Sequence, residues 1–360
     1  MSMKGAPRRP LDLRSDTGTL PTPQMYEAMR TVPLGDDGFR DDPTALLFEE
    51  RAAELLGKEA SVFLPSGTMA DLVALMALND KFGGELIAHS RAWIVGGASH
   101  GGFATLAALA PRRIDGPRGM MDLEALEEVI DPIGHHRAPH TAIVSIENTH
   151  TFDNGAVLPL EHMQAVHAIA AAKGVPVFLD GARLPHAAAE LGLQLADFAG
   201  TCDMVAMSLC KALGAPAGAV LAGTREMIDK ALIYRKMLGG GMRQTGLLAA
   251  CALVAIETPM STIRRYHDLA KRMAKGLSAI DPGFMEPDAV ETNLLTPWIA
   301  HTGLDSSRWV EELAHRGILV SPAGPRKLRL LTHFDVDEAA VDATIAAFAE
   351  IMRDHARPVS

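Results

Sequence analysis

The sequence predicts an α/β protein with a mostly parallel sheet and a smaller α+β region at its C-terminal end. Between about residues 15 and 257, short apolar, β-rich segments alternate with longer helical segments, a pattern typical of βαβ units. After residue 258, long amphipathic helices flank isolated short strands instead. We therefore expect an N-terminal arm over residues 1–14, a large domain over 15–257 and a small domain over 258–360.

The elements of the large domain follow in order from these segments. Ser61–Leu64 predicts a strand that ends at the turn Pro65–Thr68, and the apolar stretch Met69–Leu78 predicts the next helix. Val175–Leu179 predicts another strand, which ends at Asp180. The other strands predicted here are 86–88, 141–146, 204–207 and 219–222, and the other helices are 160–172 and 247–256.

The small domain has three predicted helices and three predicted strands. The helices, each with an amphipathic pattern, are 263–277, 306–315 and 338–352. The strands between them are 294–299, 318–320 and 328–331.

Composition excludes several classes of protein. Hydrophobic residues make up 48% and charged residues 22% of the 360 residues, as in ordinary globular domains, so a disordered chain is excluded. The net charge of −10 gives no general attraction for phosphate backbones, so we expect no nucleic-acid partner. Three cysteines without C-x-x-C spacing indicate a reduced, cytoplasmic setting. The apolar run 247–256 is too short to span a bilayer, so we expect no membrane association.

A lysine just past a predicted strand is the first candidate catalytic residue. Lys211 follows the strand 204–207, with the hydroxyl of Ser208 three residues before it and small residues directly after it. Partial burial makes such an amine competent to form a Schiff base, and small neighbours let a planar cofactor approach the backbone. On this residue alone, a solvated surface lysine remains the commoner explanation.

Two further signals point to the same chemistry. Asp180, at the end of the preceding predicted strand, can pair with the pyridinium nitrogen of a cofactor, a role compatible with capping a helix. Ser66-Gly67-Thr68 lies at a strand-to-helix turn, where backbone N–H groups suit a phosphate. A phosphate turn, an aspartate and a lysine in this order indicate an enzyme of pyridoxal 5'-phosphate (PLP).

Motifs for competing cofactors are missing from the sequence. It contains no G-x-x-x-x-G-K-[ST], no G-x-G-x-x-G after a strand, and no H-E-x-x-H or Cys/His metal spacing. His135, His136 and His140 could ligate a metal, but a solvated loop over residues 134–140 is by far the commoner explanation. We therefore expect no metal site.

A series of short blocks runs through nearly the whole chain in one order and spacing. The blocks are Asp12–Thr17, Gly35–Asp37, Asp41–Thr44, Gly57–Ala60, Ser66–Thr68, Ser145–His150, Asp180–Leu184, Ser208–Pro216, Gly239–Gln244 and Leu328–His333. In these blocks the chain resembles the threonine aldolase/β-eliminating lyase family of fold-type I PLP enzymes, and within it the low-specificity L-threonine aldolases. The resemblance implies an aspartate-aminotransferase-like large domain and a small C-terminal α+β domain.

The resemblance also implies roles for individual residues. Lys211 would hold PLP covalently, Asp180 would pair with the pyridine nitrogen, and His89 would stack on the ring. The cofactor-binding set is Gly67, Thr68, His89, Asp180, Arg183, Ser208, Lys211, Lys236 and Arg243. Of these, Lys236 and Arg243 would come from a neighbouring subunit, so we expect a homo-oligomer, a dimer of dimers, with composite active sites.

The implied reaction is cleavage of the Cα–Cβ bond of threonine or another β-hydroxy-α-amino acid to glycine and an aldehyde. Ser15, Arg183 and Arg329 would bind the substrate carboxylate, which a planar guanidinium holds by two parallel hydrogen bonds. A neutral His150 would take the proton of the β-hydroxyl group. β-Elimination from a 3-hydroxy amino acid to a keto acid and ammonia stays open as an alternative. Lys211, Asp180 and both histidines argue against a non-catalytic binding protein.

Three places depart from the family pattern. Ile94 stands where the family commonly has Glu, Phe39 stands where it has Tyr, and the insertion Thr151–Asp153 lengthens a loop after His150. If Ile94 and Phe39 face the β-substituent of the substrate, bulky apolar 3-hydroxy amino acids should be preferred over threonine in a graded way. If Ile94 and Phe39 lie behind the pocket wall instead, they change only the packing of that wall.

Overall fold

The computed structural model describes residues 9–79, 83–96 and 101–355, which form two compact units. One unit is Thr19–Arg264, and the other joins the residues up to Gly18 to those from Arg265 onward. The segment expected to be a separate arm thus groups with the C-terminal residues. The reason is the short strand β1 (Leu11–Asp12), which pairs in parallel with Ile318–Leu319.

The larger unit is built on a seven-stranded sheet. Its strands in chain order are β2 (Ala60–Leu64), β3 (Glu85–His89), β4 (Ala110–Ile114), β5 (Thr141–Glu147), β6 (Val177–Asp180), β7 (Met204–Ser208) and β8 (Ala219–Gly223). Their order across the sheet is β2-β8-β7-β6-β5-β3-β4. Strands β3 to β7 run parallel to one another, whereas β8 runs antiparallel to both β2 and β7.

The reversed strand β8 decides which strand ends share an edge of the sheet. Because β2 is antiparallel to β8 and β8 is antiparallel to β7, β2 points in the same direction as the five parallel strands. The C-terminal end of β2 therefore lies at the same edge as the C-terminal ends of β3, β5, β6 and β7. Carboxyl ends of strands are where open α/β sheets bind ligands.

Helices connect these strands and continue beyond the sheet. They are α1 (Pro23–Thr31), α2 (Pro43–Leu56), α3 (Gly67–Leu78), α4 (Gly102–Thr105), α5 (Leu123–Val129), α6 (Leu160–Ala172), α7 (Leu184–Leu191), α8 (Leu195–Ala199), α9 (Arg225–Met237), α10 (Gly246–Ile256) and α11 (Met260–Ile280). Among helices in the described ranges, none alone has the length and apolarity to cross a membrane. The consecutive helices α10 and α11, which are bent at their junction, pass that test only as a pair.

The smaller unit packs most of α11, two further helices and short strands around an apolar core. Its further strands are β9 (Leu294–Leu295), β10 (Ile318–Leu319), β11 (Ser321–Pro322) and β12 (Leu328–Leu331), and its further helices are α12 (Ser306–His315) and α13 (Glu338–Asp354). Strand β9 is shorter than the predicted 294–299. Pro297 has no N–H to give to a strand partner, although its carbonyl accepts the N–H of Leu328 at 3.0 Å.

Candidate active site

Three predicted site residues, together with Glu147, come from the ends of adjacent parallel strands. His89 ends β3, Glu147 ends β5, Asp180 ends β6, and Lys211 lies in the loop that follows β7. Strands β7, β6, β5 and β3 are consecutive in the sheet. The larger unit thus brings the predicted lysine, aspartate and first histidine to one edge.

Lys211 lies in a tight loop between β7 and β8. The N–H of Leu209 donates to the carbonyl of Gly218 at 3.1 Å, and the N–H of Ala215 donates to the carbonyl of Leu209 at 2.9 Å. The side chain of Lys211 is half-buried. Backbone hydrogen bonds before and after Lys211 therefore fix the loop that carries its amine.

Asp180 is buried among charges of both signs. Its Oδ1 accepts the N–H of Ala182 at 3.1 Å. Burial first, and then the negative charge of Glu147, raise the pKa of Asp180 to about 6, while Lys211 and Arg183 oppose this shift. Such a carboxylate favours a cationic partner, and a protonated ring nitrogen of a ligand can be that partner.

Asp71 adds a third carboxylate that the sequence analysis missed. It lies near the start of α3, and burial raises its pKa well above the usual range. The charges of Asp180 and Glu147 act in the same direction, whereas Lys211 opposes it. The apolar run 69–78 predicts only a helix. An acidic residue within that apolar run, directly after the phosphate turn, was the signal that could have identified it.

Helix α3 begins with the predicted phosphate turn. Ser66 caps the helix, its Oγ accepting the N–H of Met69 at 3.2 Å. A Cβ added to Gly67 would meet no atom within 4 Å, so space is open beside the N-terminus of this 12-residue helix. Thr68 is exposed, and Ser208 is buried at the end of β7. Free N–H groups and the helix dipole make this position suitable for an anion.

His89 and His150 form a buried pair. Nδ1 of His89 lies 3.0 Å from Nε2 of His150, and the two rings are perpendicular with centroids 4.7 Å apart. Nε2 of His89 lies 3.0 Å from the carbonyl oxygen of Gly116. Burial, His89 and Arg91 lower the pKa of His150 to about 3, so His150 is neutral near pH 7. A neutral imidazole is the form able to accept a proton.

The backbone of Gly119 packs closely against the ring of His150. It has a φ of +81°, and a Cβ at this position would lie 2.5 Å from Cγ of His150. Both the left-handed backbone and the close approach require glycine.

The insertion Thr151–Asp153 forms a short 3-10 helix that contacts two site residues. The N–H of Thr151 donates to Oε1 of Glu147 at 2.8 Å. Oγ1 of Thr151 accepts from Nη1 of Arg183 at 3.2 Å, and Arg183 is buried. The insertion therefore forms part of the site wall.

The same insertion packs on the segment that follows β3. Asp153 forms an ion pair with Arg91. The ring of Phe152 stacks on Trp93, with centroids 5.9 Å apart. The backbone N–H of Trp93 also donates to Oε2 of Glu147 at 2.7 Å.

One group of described residues has donor atoms close enough to ligate a metal. Atoms of His89, His150 and Asp153 lie within 4.8 Å of one another. The guanidinium of Arg91 already pairs with Asp153, and a cation there disfavours a second one. The absence of a metal site stays a prediction.

The two cations expected to reach a neighbouring subunit are exposed. Lys236 lies near the end of α9, and Arg243 lies in the segment after it. The side chain of Arg243 is 63% exposed, and its Nη1 is 3.3 Å from Oδ2 of Asp36. By contrast, the neighbouring Arg235 is buried and forms an ion pair with Asp37 at 2.8 Å.

The remaining predicted site residues belong to the smaller unit. Oγ of Ser15 accepts the N–H of Thr17 at 3.2 Å. Arg329 lies on β12, in register with Ser321 of β11. The predicted substrate-binding set is thus divided between the two units, with Arg183 in the larger one.

The two positions that depart from the family pattern lie in different environments. Ile94 is 3% exposed and belongs to the apolar core cluster of the larger unit, together with Val95 and Phe103. Phe39 is 78% exposed. Ile94 is therefore part of the core packing, whereas Phe39 is not, and the effect of both residues on substrate preference stays a prediction.

Comparison with known proteins identifies the family. The sequence family described as beta-eliminating lyase matches residues 12–299. Low-specificity L-threonine aldolase 1 of Arabidopsis thaliana is 37% identical over 347 residues, which cover 96% of this chain and 97% of the relative. The chain belongs to the β-eliminating lyase family.

A further relative supports this membership, and a solved structure supports the fold. The low specificity L-threonine aldolase of Escherichia coli K12 is 38% identical over 344 residues, covering 94% of this chain and 97% of that enzyme. A solved structure of Leishmania major threonine aldolase has a TM-score of 0.78 at 21% identity, covering 96% and 99% of the two chains. The predicted α/β fold of the fold-type I class is confirmed.

Proposed function

We propose that the chain is a PLP-dependent lyase that cleaves the Cα–Cβ bond of threonine or a related 3-hydroxy amino acid to glycine and an aldehyde. The observation that carries this proposal is identity of 37–38% over nearly the whole chain to two low-specificity L-threonine aldolases. Membership of the family implies PLP as the cofactor.

The side chains at the sheet edge fit this cofactor. We assign the covalent attachment to Lys211 and the ring nitrogen to Asp180, whose burial makes a cationic partner favourable. The open space at Gly67 suits the phosphate. We assign Thr68 and Ser208 to the same phosphate. His89 is assigned to the face of the ring. When bound, PLP supplies an electron sink for bonds at Cα.

The chain's own groups then orient the substrate and move a proton. We assign the substrate carboxylate to Arg183, Ser15 and Arg329, because a guanidinium binds a carboxylate in two parallel hydrogen bonds. Holding the carboxylate determines which bond at Cα is aligned for cleavage. His150, neutral and buried, is assigned to take the proton of the β-hydroxyl group.

We also propose that the enzyme works as a homo-oligomer, a dimer of dimers, in the cytoplasm. The exposure of Lys236 and Arg243 leaves both side chains available to a neighbouring subunit's phosphate site. Three free cysteines, Cys202, Cys210 and Cys251, fit a reducing compartment.

Product analysis tests the reaction. The purified protein, supplied with PLP, is given a panel of 3-hydroxy amino acids, and glycine, aldehyde, keto acid and ammonia are measured. We expect glycine and aldehyde in equal amounts, and none above background from Lys211→Ala. Keto acid and ammonia in their place would establish β-elimination instead.

A further inference from the structure

Asp153 of the insertion lies against His150. Its Oδ2 is 3.1 Å from Nδ1 of His150, and the two side chains are 10% and 0% exposed. Both atoms are buried, and neither has a hydrogen-bond partner. Two unpartnered polar atoms at this distance are unfavourable unless a proton lies between them.

The hydrogen bonds of the histidine pair determine which ring nitrogen of each histidine carries the proton. A carbonyl oxygen only accepts, so Nε2 of His89 donates to Gly116 and Nδ1 of His89 is left as an acceptor. The N–H of Arg91, 3.4 Å from the same Nδ1, agrees with this. Nε2 of His150 therefore donates to His89. In neutral His150 the lone pair is then on Nδ1, where it faces Asp153.

A second proton on His150 would give both of its ring nitrogens a hydrogen-bond acceptor. Nδ1–H would donate to Asp153, while Nε2–H would still donate to His89. Arg91 pairs with the other carboxylate oxygen of Asp153 and so holds the carboxylate in place. Among the residues that the structure describes, the remaining charged group facing His150 is Glu147, whose Oε2 is 3.8 Å from Nε2.

We propose that Asp153 is a positioning residue that allows His150 to hold the proton released by the substrate's β-hydroxyl group. The inference rests on the proposed function. The O–H bond breaks and its proton binds His150. The Cα–Cβ bond then breaks, its electron pair goes to Cα as the aldehyde C=O forms, and a proton added to Cα gives glycine. Asp153 keeps its charge throughout and stabilises the imidazolium.

The test compares the parent with Asp153→Asn, which removes only the charge, and Asp153→Glu, which retains it. Two reactions of the PLP-loaded enzyme are measured: threonine cleavage, and exchange of the α-hydrogen of glycine with solvent deuterium. The exchange uses Lys211 and the cofactor but involves no β-hydroxyl proton. It is therefore the internal control for folding and cofactor binding.

We expect Asp153→Asn to lower kcat for cleavage roughly 10- to 100-fold, which is part of the roughly 10²–10⁴-fold rate gain that general-base catalysis typically gives. The rate of glycine exchange should stay within about twofold of the parent. Asp153→Glu should recover part of the loss. Equal cleavage by Asp153→Asn and the parent, or equal losses in both reactions, would overturn the inference.

Nitrogen NMR of the cofactor-free parent gives a readout that needs no activity. We expect the proton of neutral His150 on Nε2, and a proton on Nδ1 would overturn the assignment even if Asp153→Asn fails to fold. A parent that exchanges glycine but cleaves no 3-hydroxy amino acid would refute the proposed function itself, and this inference with it.

Discussion

Glu147 and Asp180 are register partners on the neighbouring strands β5 and β6. Partners in register on adjacent strands direct their side chains to the same face. Glu147 accepts one N–H on each carboxylate oxygen, from Trp93 and Thr151. It therefore organises the wall of the site, and its charge contributes to the raised pKa of Asp180.

Removing the charge of Asp180 should stabilise the cofactor-free protein in a pH-dependent way. The pKa of Asp180 is about 6 in the fold against an ordinary value of 3.8, so the unfolded state loses its proton first as pH rises. The stability that protonated Asp180 contributes is therefore present below about pH 4 and is lost as pH rises through about 6. Asp180→Asn should raise Tm by a few degrees at pH 8, at ~2–4 °C per kcal/mol. Near pH 4.5 it should change Tm little.

Calorimetry at the two pH values checks this expectation. Asp342→Asn is the matched control, because Asp342 is an exposed ion-pair partner of Arg272 and should contribute little at either pH. A Tm difference for Asp180→Asn that is the same at both pH values would contradict the argument. With PLP bound, the direction should reverse, since the carboxylate then has its cationic partner.

Covalent labelling checks the role of Lys211. Borohydride treatment of the PLP-loaded protein should fix the cofactor to the chain, and peptide mapping should place it on Lys211. Lys211→Ala should bind PLP only reversibly, whereas Lys230→Ala, which alters a lysine of α9, should keep the label. A label on any other lysine would show the assignment to be wrong.

Mixing two inactive variants checks the composite site. If Lys211 and Arg243 of one site come from different subunits, dimers that combine Lys211→Ala with Arg243→Ala contain one intact site. Randomly re-formed dimers should then recover about a quarter of the parent activity. No recovery, with mixed dimers demonstrated by native mass spectrometry, would place both residues in the same subunit's site.

The core position of Ile94 predicts a loss of stability for a polar replacement. Ile94→Glu would bury a carboxylate among apolar side chains and should lower the free energy of unfolding by about 2–4 kcal/mol. Ile94→Val, which keeps the site apolar, should cost only about 0.5–1.5 kcal/mol. Denaturant unfolding measures both. Equal stability of the two variants would mean that the side chain reaches a polar pocket, and would revive its proposed effect on substrate preference.

Much of the sheet could be predicted from the sequence, but its pairing could not. The sequence predicts a strand over 219–222, yet a run buried on both faces carries no information about strand direction, so it does not predict the reversal of β8. Strand β4 was missed because Arg112 and Arg113 make it look polar. Arg112 is accommodated by two hydrogen bonds to Glu85, at 2.6 and 3.0 Å.

The candidate site was predictable where its chemistry lies in short motifs. Lys211 and Asp180 follow strand ends, and strand ends can be located from the sequence. Asp71 could not be assigned a role in this way, because its partners are distant in the chain, and the same holds for the pairing of Asp153 with Arg91. The insertion was visible, but its ion pair with Arg91 depends on β3 and β5 being neighbours in the sheet.

The loop that carries Lys211 joins two antiparallel, hydrogen-bonded strands and contains no crossover helix. Ser208 and Ala219 face each other in the antiparallel pair β7–β8, so the backbone between them is restrained at both ends. The conformational entropy of this loop is lost when the chain folds and is not lost again when a ligand binds. The amine is thus preorganised, and capture of the cofactor has to restrict little more than the lysine side chain itself.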